Sequence, residues 1–232
     1  MKKTLVLILA LLLCMQCIPA LAGLGEYVSF SDNYHFDGDA YMEMMDEGNT
    51  VVYTHPTFGY SITVPKSWII VDRNNVNSII YACQTGEISI PGMNTQNFIN
   101  NASSILQKDS ALFIDSNGNI MEIVSQDYGQ VITDSMFENQ MVPSILNQYA
   151  TQLPGVRLLI KGNASMYGSN RFYIFTMEVP TNQGIRRLHQ YIRLDGTYMH
   201  CLTLTANAND QLTLDAFITQ VEYGCSTFIN GR

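Results

Sequence analysis

Residues 186–200 carry the densest set of side chains able to do chemistry. Arg187, His189, Tyr191 and Arg193 recur at every second position, and Tyr198 and His200 follow at the same spacing after Asp195-Gly196. A period of two puts alternate residues on one face of a β-strand, and Asp-Gly is a tight-turn dipeptide. If Asp195-Gly196 is a two-residue turn, Arg193 falls opposite Tyr198, Tyr191 opposite His200 and His189 opposite Leu202. All six residues then share one sheet face. Guanidinium forks grip carboxylate or phosphate oxygens in pairs, so a small anionic ligand is the chemistry this face suits. The same pattern also fits outward-facing arginines with the histidines and tyrosines packed beneath a helix, their hydrogen bonds made within the fold.

Reaction motifs do not accompany this set. The sequence holds no G-x-S-x-G nucleophile elbow, S-x-x-K pair, H-E-x-x-H zinc helix, phosphate-binding G-x-x-x-x-G-K-[ST] loop or G-x-G-x-x-G turn. Active sites are also assembled from dispersed residues. The catalytic alternative is therefore an extracytoplasmic hydrolase or thiol enzyme, in which His189 or His200 meets a nucleophile or orienting carboxylate within about 3.2 Å. No cofactor and no metal are expected. Asp37-Gly38-Asp39 and Asp46-Glu47 lack the spacing of a calcium loop, and the series Asp115, Asn117, Asn119 meets Ile120 where such a loop needs glycine and Gln126 where it needs glutamate.

Short β-rich runs at 51–54 and 60–64 flank a His-Pro-Thr-Phe-Gly turn, and a third apolar run covers 68–71. Val76, Ile79, Ile80 and Cys83 share one helical face, with Asn74 or Asn75 as cap and Gly86 as stop; Phe98, Ile99, Ala102, Ile105 and Leu106 repeat the pattern after Thr95. Ser116-Asn117-Gly118 joins a hairpin of 111–115 and 119–124. Ser135 and Glu138 fit a capping box opening a helix with Phe137, Met141, Ile145 and Tyr149 inside, which Pro143 should kink or divide. Four runs of period two follow at 156–162, 171–179, 186–193 and 198–206, joined by turn formers into an antiparallel meander. Leu212, Ala216, Ile218, Val221 and Cys225 mark the packing side of a closing helix.

These elements need one compartment and one core. Lys2 and Lys3, an apolar stretch over 5–17 and Ala20-Leu21-Ala22 read as a signal peptide spanning 1–22. The apolar run is shorter than the roughly 20 residues of a membrane-spanning helix, so no stable span is expected after cleavage. Cleavage discards Cys14 and Cys17, whose C-x-x-C spacing would otherwise invite a redox reading. The net charge of −8 becomes −10, with 10 basic against 20 acidic side chains, because two lysines leave with the leader. Such a surface repels phosphate backbones, which argues against a nucleic-acid partner. An irregular acidic arm is expected over 23–49 and a single domain over 50–232. Cys83, Cys201 and Cys225 are either three buried thiols or one bridge with one thiol over; Cys201 to Cys225 requires the last helix to pack on the strand carrying Cys201.

Phe58-Gly59-Tyr60-Ser61-Ile62-Thr63-Val64-Pro65-Lys66-Ser67-Trp68 resembles the opening signature of the Mog1/PsbP-like superfamily, in which a strand ending in Pro-x-x-Trp tucks its indole beneath the sheet. The element order and the closing Ser226-Thr227-Phe228 extend the resemblance over 51–228, and Pro65 and Trp68 match as structural positions. The resemblance implies an α+β fold, an α/β/α sandwich around a mainly antiparallel sheet. Superfamily members include photosystem II extrinsic subunits, a Ran-binding nuclear factor and exported bacterial proteins, sharing a non-catalytic scaffold for binding partners. By resemblance, the expected function is that of a non-catalytic exported binding or accessory module, engaging a protein or small anionic ligand at the cell envelope.

Overall fold

The computed structural model describes residues 42–43, 50–55, 58, 60–90, 95–96, 98–99, 109–181, 184–209 and 211–228. The proposed leader lies outside the described residues, as do the acidic arm apart from Met42 and Glu43 and most of the second helix, of which Thr95, Gln96, Phe98 and Ile99 are described as helical.

The fold is α+β. Strands β1 (Met42–Glu43), β2 (Thr50–Thr54) and β3 (Ser61–Pro65) form a small sheet. Strands β4 (Ile69–Asp72), β5 (Asp109–Ile114), β6 (Ile120–Asp127), β7 (Arg157–Tyr167), β8 (Asn170–Thr181), β9 (Gly184–Asp195) and β10 (Tyr198–Asn207) form a seven-stranded sheet ordered β4-β5-β6-β10-β9-β8-β7, every pair antiparallel. The meander β7 to β10 is the one its period of two predicts. Chain reversal at Gly168-Ser169 leaves no room for a side chain: Gly168 has φ +61°, and a Cβ there would lie 2.8 Å from the Ser226 carbonyl oxygen.

One sheet face carries α1 (Val76–Thr85) and the segment α2 (Asp134–Met136), a π-helical turn (Phe137–Met141) and α3 (Val142–Gln152). The opposite face carries α4 (Gln211–Thr227) side by side with the small sheet. The sandwich expected from the resemblance therefore has one mixed layer. Val51, Tyr53, Ile62 and Val64 cannot join the large sheet because they alternate inward from a separate hairpin, and Tyr53 meets Phe113 edge to face at 5.2 Å. Trp68 lies against this core, its ring stacked on Phe217 at 5.0 Å.

Four local expectations change in detail. Asn75 precedes α1 without capping it, because its side-chain oxygen accepts from Asp72 N–H and its amide donates to the Ile70 carbonyl. Gly86 ends the helix in the left-handed conformation, as expected. Thr133, rather than Ser135, caps α2, its hydroxyl accepting from Met136 N–H at 3.2 Å. Glu138 turns away to Tyr173 and Arg171 instead of closing a capping box. Pro143 is accommodated at the start of α3, directly after the widened π turn, where its missing N–H costs no regular helical bond. The buried stripe of α4 is Leu214, Phe217, Val221, Gly224 and Cys225, whereas Leu212 is 85% exposed.

Candidate functional site

The β9–β10 hairpin turns at Gly196-Thr197, so Tyr198 faces Asp195, His200 faces Arg193, Leu202 faces Tyr191 and Leu204 faces His189. The expected cross-strand partners are displaced by one turn residue: Asp195 enters the ladder, and the positive φ of Gly196 serves the first turn position. A shift that moves both turn residues preserves side-chain parity. Arg187, His189, Tyr191, Arg193, Tyr198 and His200 therefore do share a face, the one beneath α4.

Sharing a face does not bring them into one site. Helix α4 runs back along the hairpin and divides them. Tyr191 is buried in the middle, against Tyr167 and Phe172, where burial and the nearby Cys225, Glu222 and Tyr167 push its phenol upward. Arg187 and His189 lie toward the start of β9, and Arg193, Tyr198 and His200 at the hairpin end near the close of α4.

At the hairpin end His200 is 1% exposed and Ser125, opposite it on β6, 7%. Ser125 Oγ lies 2.7 Å from His200 Nδ1 and 3.3 Å from the Tyr60 hydroxyl. Phe58, Tyr60, Tyr198 and Phe228 surround the imidazole with ring centroids 5.0–6.4 Å away. Burial holds the His200 pKa down near 4 against the opposing pull of Asp195, with Arg193 and His55 adding to the depression. Asp195 Oδ2 is 3.9 Å from His200 Nε2, past hydrogen-bond reach. Arg193 lies over the Phe228 ring at 5.0 Å and donates to the Phe228 carbonyl, so its half-buried guanidinium caps the cluster at the solvent boundary.

At the other end Glu178 on β8 stands opposite Arg187 and accepts from it at 2.5 Å, while Arg157 on β7 donates to the other carboxylate oxygen. Hydrogen bonds from Arg187 and then Arg157 hold the Glu178 carboxyl below its ordinary pKa. His189 Nδ1 is hydrogen-bonded to Thr176 Oγ1 at 3.1 Å, and burial followed by the Arg187 charge lowers its pKa to about 4.

Sequence reasoning missed Ser125, Thr176 and Glu178. Each sits on a strand that is otherwise buried there, and a lone hydroxyl or carboxylate in such a run is a signal of paired polar chemistry. Among the described residues the thiols are three buried free cysteines in three different apolar clusters: Cys83 on the buried side of α1, Cys201 on the α3 face and Cys225 on the α4 face. Helix α4 does pack on β10, yet Cys201 points through the sheet away from it. Asp115 and Asn119 are spent within their hairpin, where Asp115 accepts from Asn117 N–H, Asn119 N–H and Asn119 Nδ2 at 2.8, 2.8 and 2.9 Å. Among the described residues no three His, Cys, Asp or Glu side chains are placed to hold a metal ion, and no helix is long and apolar enough to cross a membrane.

No family model matches the chain, and no curated protein matches it. Solved structures similar to it include the cyanobacterial PsbP (CyanoP) from Synechocystis sp. PCC 6803, 11% identical over 81% of this chain and 95% of that one, with a TM-score of 0.48. LpqN, described as involved in cell envelope biogenesis of Mycobacterium tuberculosis, is 12% identical over 83% of this chain and 96% of that one, TM-score 0.38. A protein from Bacteroides thetaiotaomicron is 10% identical over 75% of this chain, TM-score 0.39, and the chain spans 45% of its length.

Proposed function

We propose that this chain is a non-catalytic binding or accessory module that works outside the cytoplasm after loss of residues 1–22. The observation carrying this reading is the sealed His200–Ser125 pair. A general base must reach a substrate proton, and His200, at 1% exposure under four aromatic rings, is hydrogen-bonded, among the described residues, to the buried Ser125. Its depressed pKa also makes it a weak base at neutral pH. Arg187, Arg193 and Tyr198 retain partial solvent contact on the same face and are the residues proposed to meet a protein partner or a small anionic ligand.

The 2.7 Å Ser125–His200 contact favours the hydrolase alternative, with Ser125 as nucleophile. Labelling by a fluorophosphonate probe, with ester turnover, separates the two. The binding reading expects no Ser125-dependent labelling; labelling abolished by Ser125→Ala overturns it. Fractionation of expressing cells with N-terminal sequencing should find the mature chain outside the cytoplasm beginning at Gly23.

A further inference from the structure

Two buried polar atoms on β9 lack a hydrogen-bond partner among the described residues, Arg187 Nε and His189 Nε2. They belong to side chains two positions apart on the α4 face, set opposite Glu178 and Thr176 of β8. Leaving buried polar groups unmade costs on the order of 1–3 kcal/mol each, so a pair on one face points to an acceptor that meets both. An Arg Nε–H can only donate. His189 donates from Nε2 in the tautomer whose Nδ1 accepts from the Thr176 hydroxyl.

We propose that Arg187 Nε and His189 Nε2 form the floor of a binding site for the carboxylate of a small monoanionic ligand. Charge selects this class. Arg157 and Arg187 set two positive charges against the single carboxylate of Glu178, so one further negative charge balances the group. A phosphate dianion would overshoot that balance beside Glu178. Arg157, with its side chain 69% exposed, and Arg187, at 20%, carry the group out to solvent at the end of β8 and the start of β9. The inference rests on the binding-module reading and narrows its ligand.

The test uses the folded, leaderless chain labelled with nitrogen-15, titrated with sodium benzoate and sodium acetate at constant ionic strength, with inorganic phosphate in parallel. The expected result is a saturable shift of the Arg187 Nε–H resonance with a carboxylate, an Nε2-protonated His189, and weaker or absent saturation with phosphate. Arg187→Lys can keep the ion pair to Glu178 but loses Nε–H, and should weaken carboxylate binding at least tenfold; His189→Leu should do the same and provides a second variant if the first misfolds. Shifts of the β8 and β9 backbone amides that stay linear, that survive equally in both folded variants, or that saturate more tightly with phosphate overturn the site. So does a His189 bearing its proton on Nδ1. Ser125-dependent turnover would instead overturn the broader reading and leave this titration to stand or fall by itself.

Discussion

Ser125 Oγ and His200 Nδ1 lie 2.7 Å apart across the β6–β10 pair, both in the core and both within reach of the aromatic ring system headed by Tyr60. A contact of this kind holds a buried imidazole in one tautomer and satisfies one of its two nitrogens. Removing the hydroxyl takes away the hydrogen-bond partner of His200 Nδ1. Ser125→Ala is expected to destabilise the fold by about 1–3 kcal/mol, read as a lower urea midpoint at pH 7 with an unchanged slope.

Acid should loosen the protein before its carboxylates titrate. His189 and His200 have folded pKa values near 4, against about 6.5 for an unfolded histidine. The unfolded chain therefore binds more protons between those values, and stability rises with pH there. The contribution is whole above about pH 6.5 and lost as pH falls through 4, on the order of 3 kcal/mol per ring at most. Glu178, whose pKa is lowered, acts in the same direction at lower pH, while Asp115, raised by burial, opposes it. Unfolding free energy measured at pH 7.5 and 5 should drop, and the drop should shrink in His200→Phe or His189→Leu.

The three described thiols should remain free even in an oxidising medium, because each is enclosed in its own apolar cluster. Burial raises the pKa of Cys83 and, with Glu222, that of Cys225, which keeps both in the unreactive thiol form. Titration with a thiol reagent should be slow in the native leaderless chain and count three groups once it is denatured without reductant. A count of one would signify a bridge.

Two apolar residues of α4 should behave differently. Phe217, 3% exposed and stacked on Trp68, is expected to cost about 3–5 kcal/mol as Phe217→Ala. Leu212, 85% exposed, should tolerate Leu212→Lys within about 0.5 kcal/mol. Thermal or urea unfolding of the pair checks which stripe of the helix faces the sheet.

Those two residues also mark how far the sequence could be read. Hydrophobic counting placed α4, and Val221 and Cys225 within its inner stripe, yet it chose Leu212 and Ala216 where the structure buries Leu214 and Phe217. The helix is apolar on more than one side, and only the neighbour it lands on selects a side. The π turn before Pro143 was equally illegible, since widening a turn answers to packing of Phe137 and Met141 as much as to the proline. The candidate site was half legible. Alternation put all six of its residues on one face, and a one-residue displacement of the turn left that parity intact.

Local patterning was enough for the strands of the meander, the β5–β6 hairpin, the first helix and the shared face of Arg187 to His200, because periods of 2 and 3.6 and the backbone freedom of Asn-Gly and Asp-Gly are local properties of the chain. Tertiary structure alone decided that β1 to β3 form a separate sheet, that α4 divides the Arg-His-Tyr face into two ends, and that Ser125, Thr176 and Glu178 become the partners of its histidines and arginine. These depend on contacts between residues tens of positions apart, and no local pattern encodes which surfaces meet once the core excludes water.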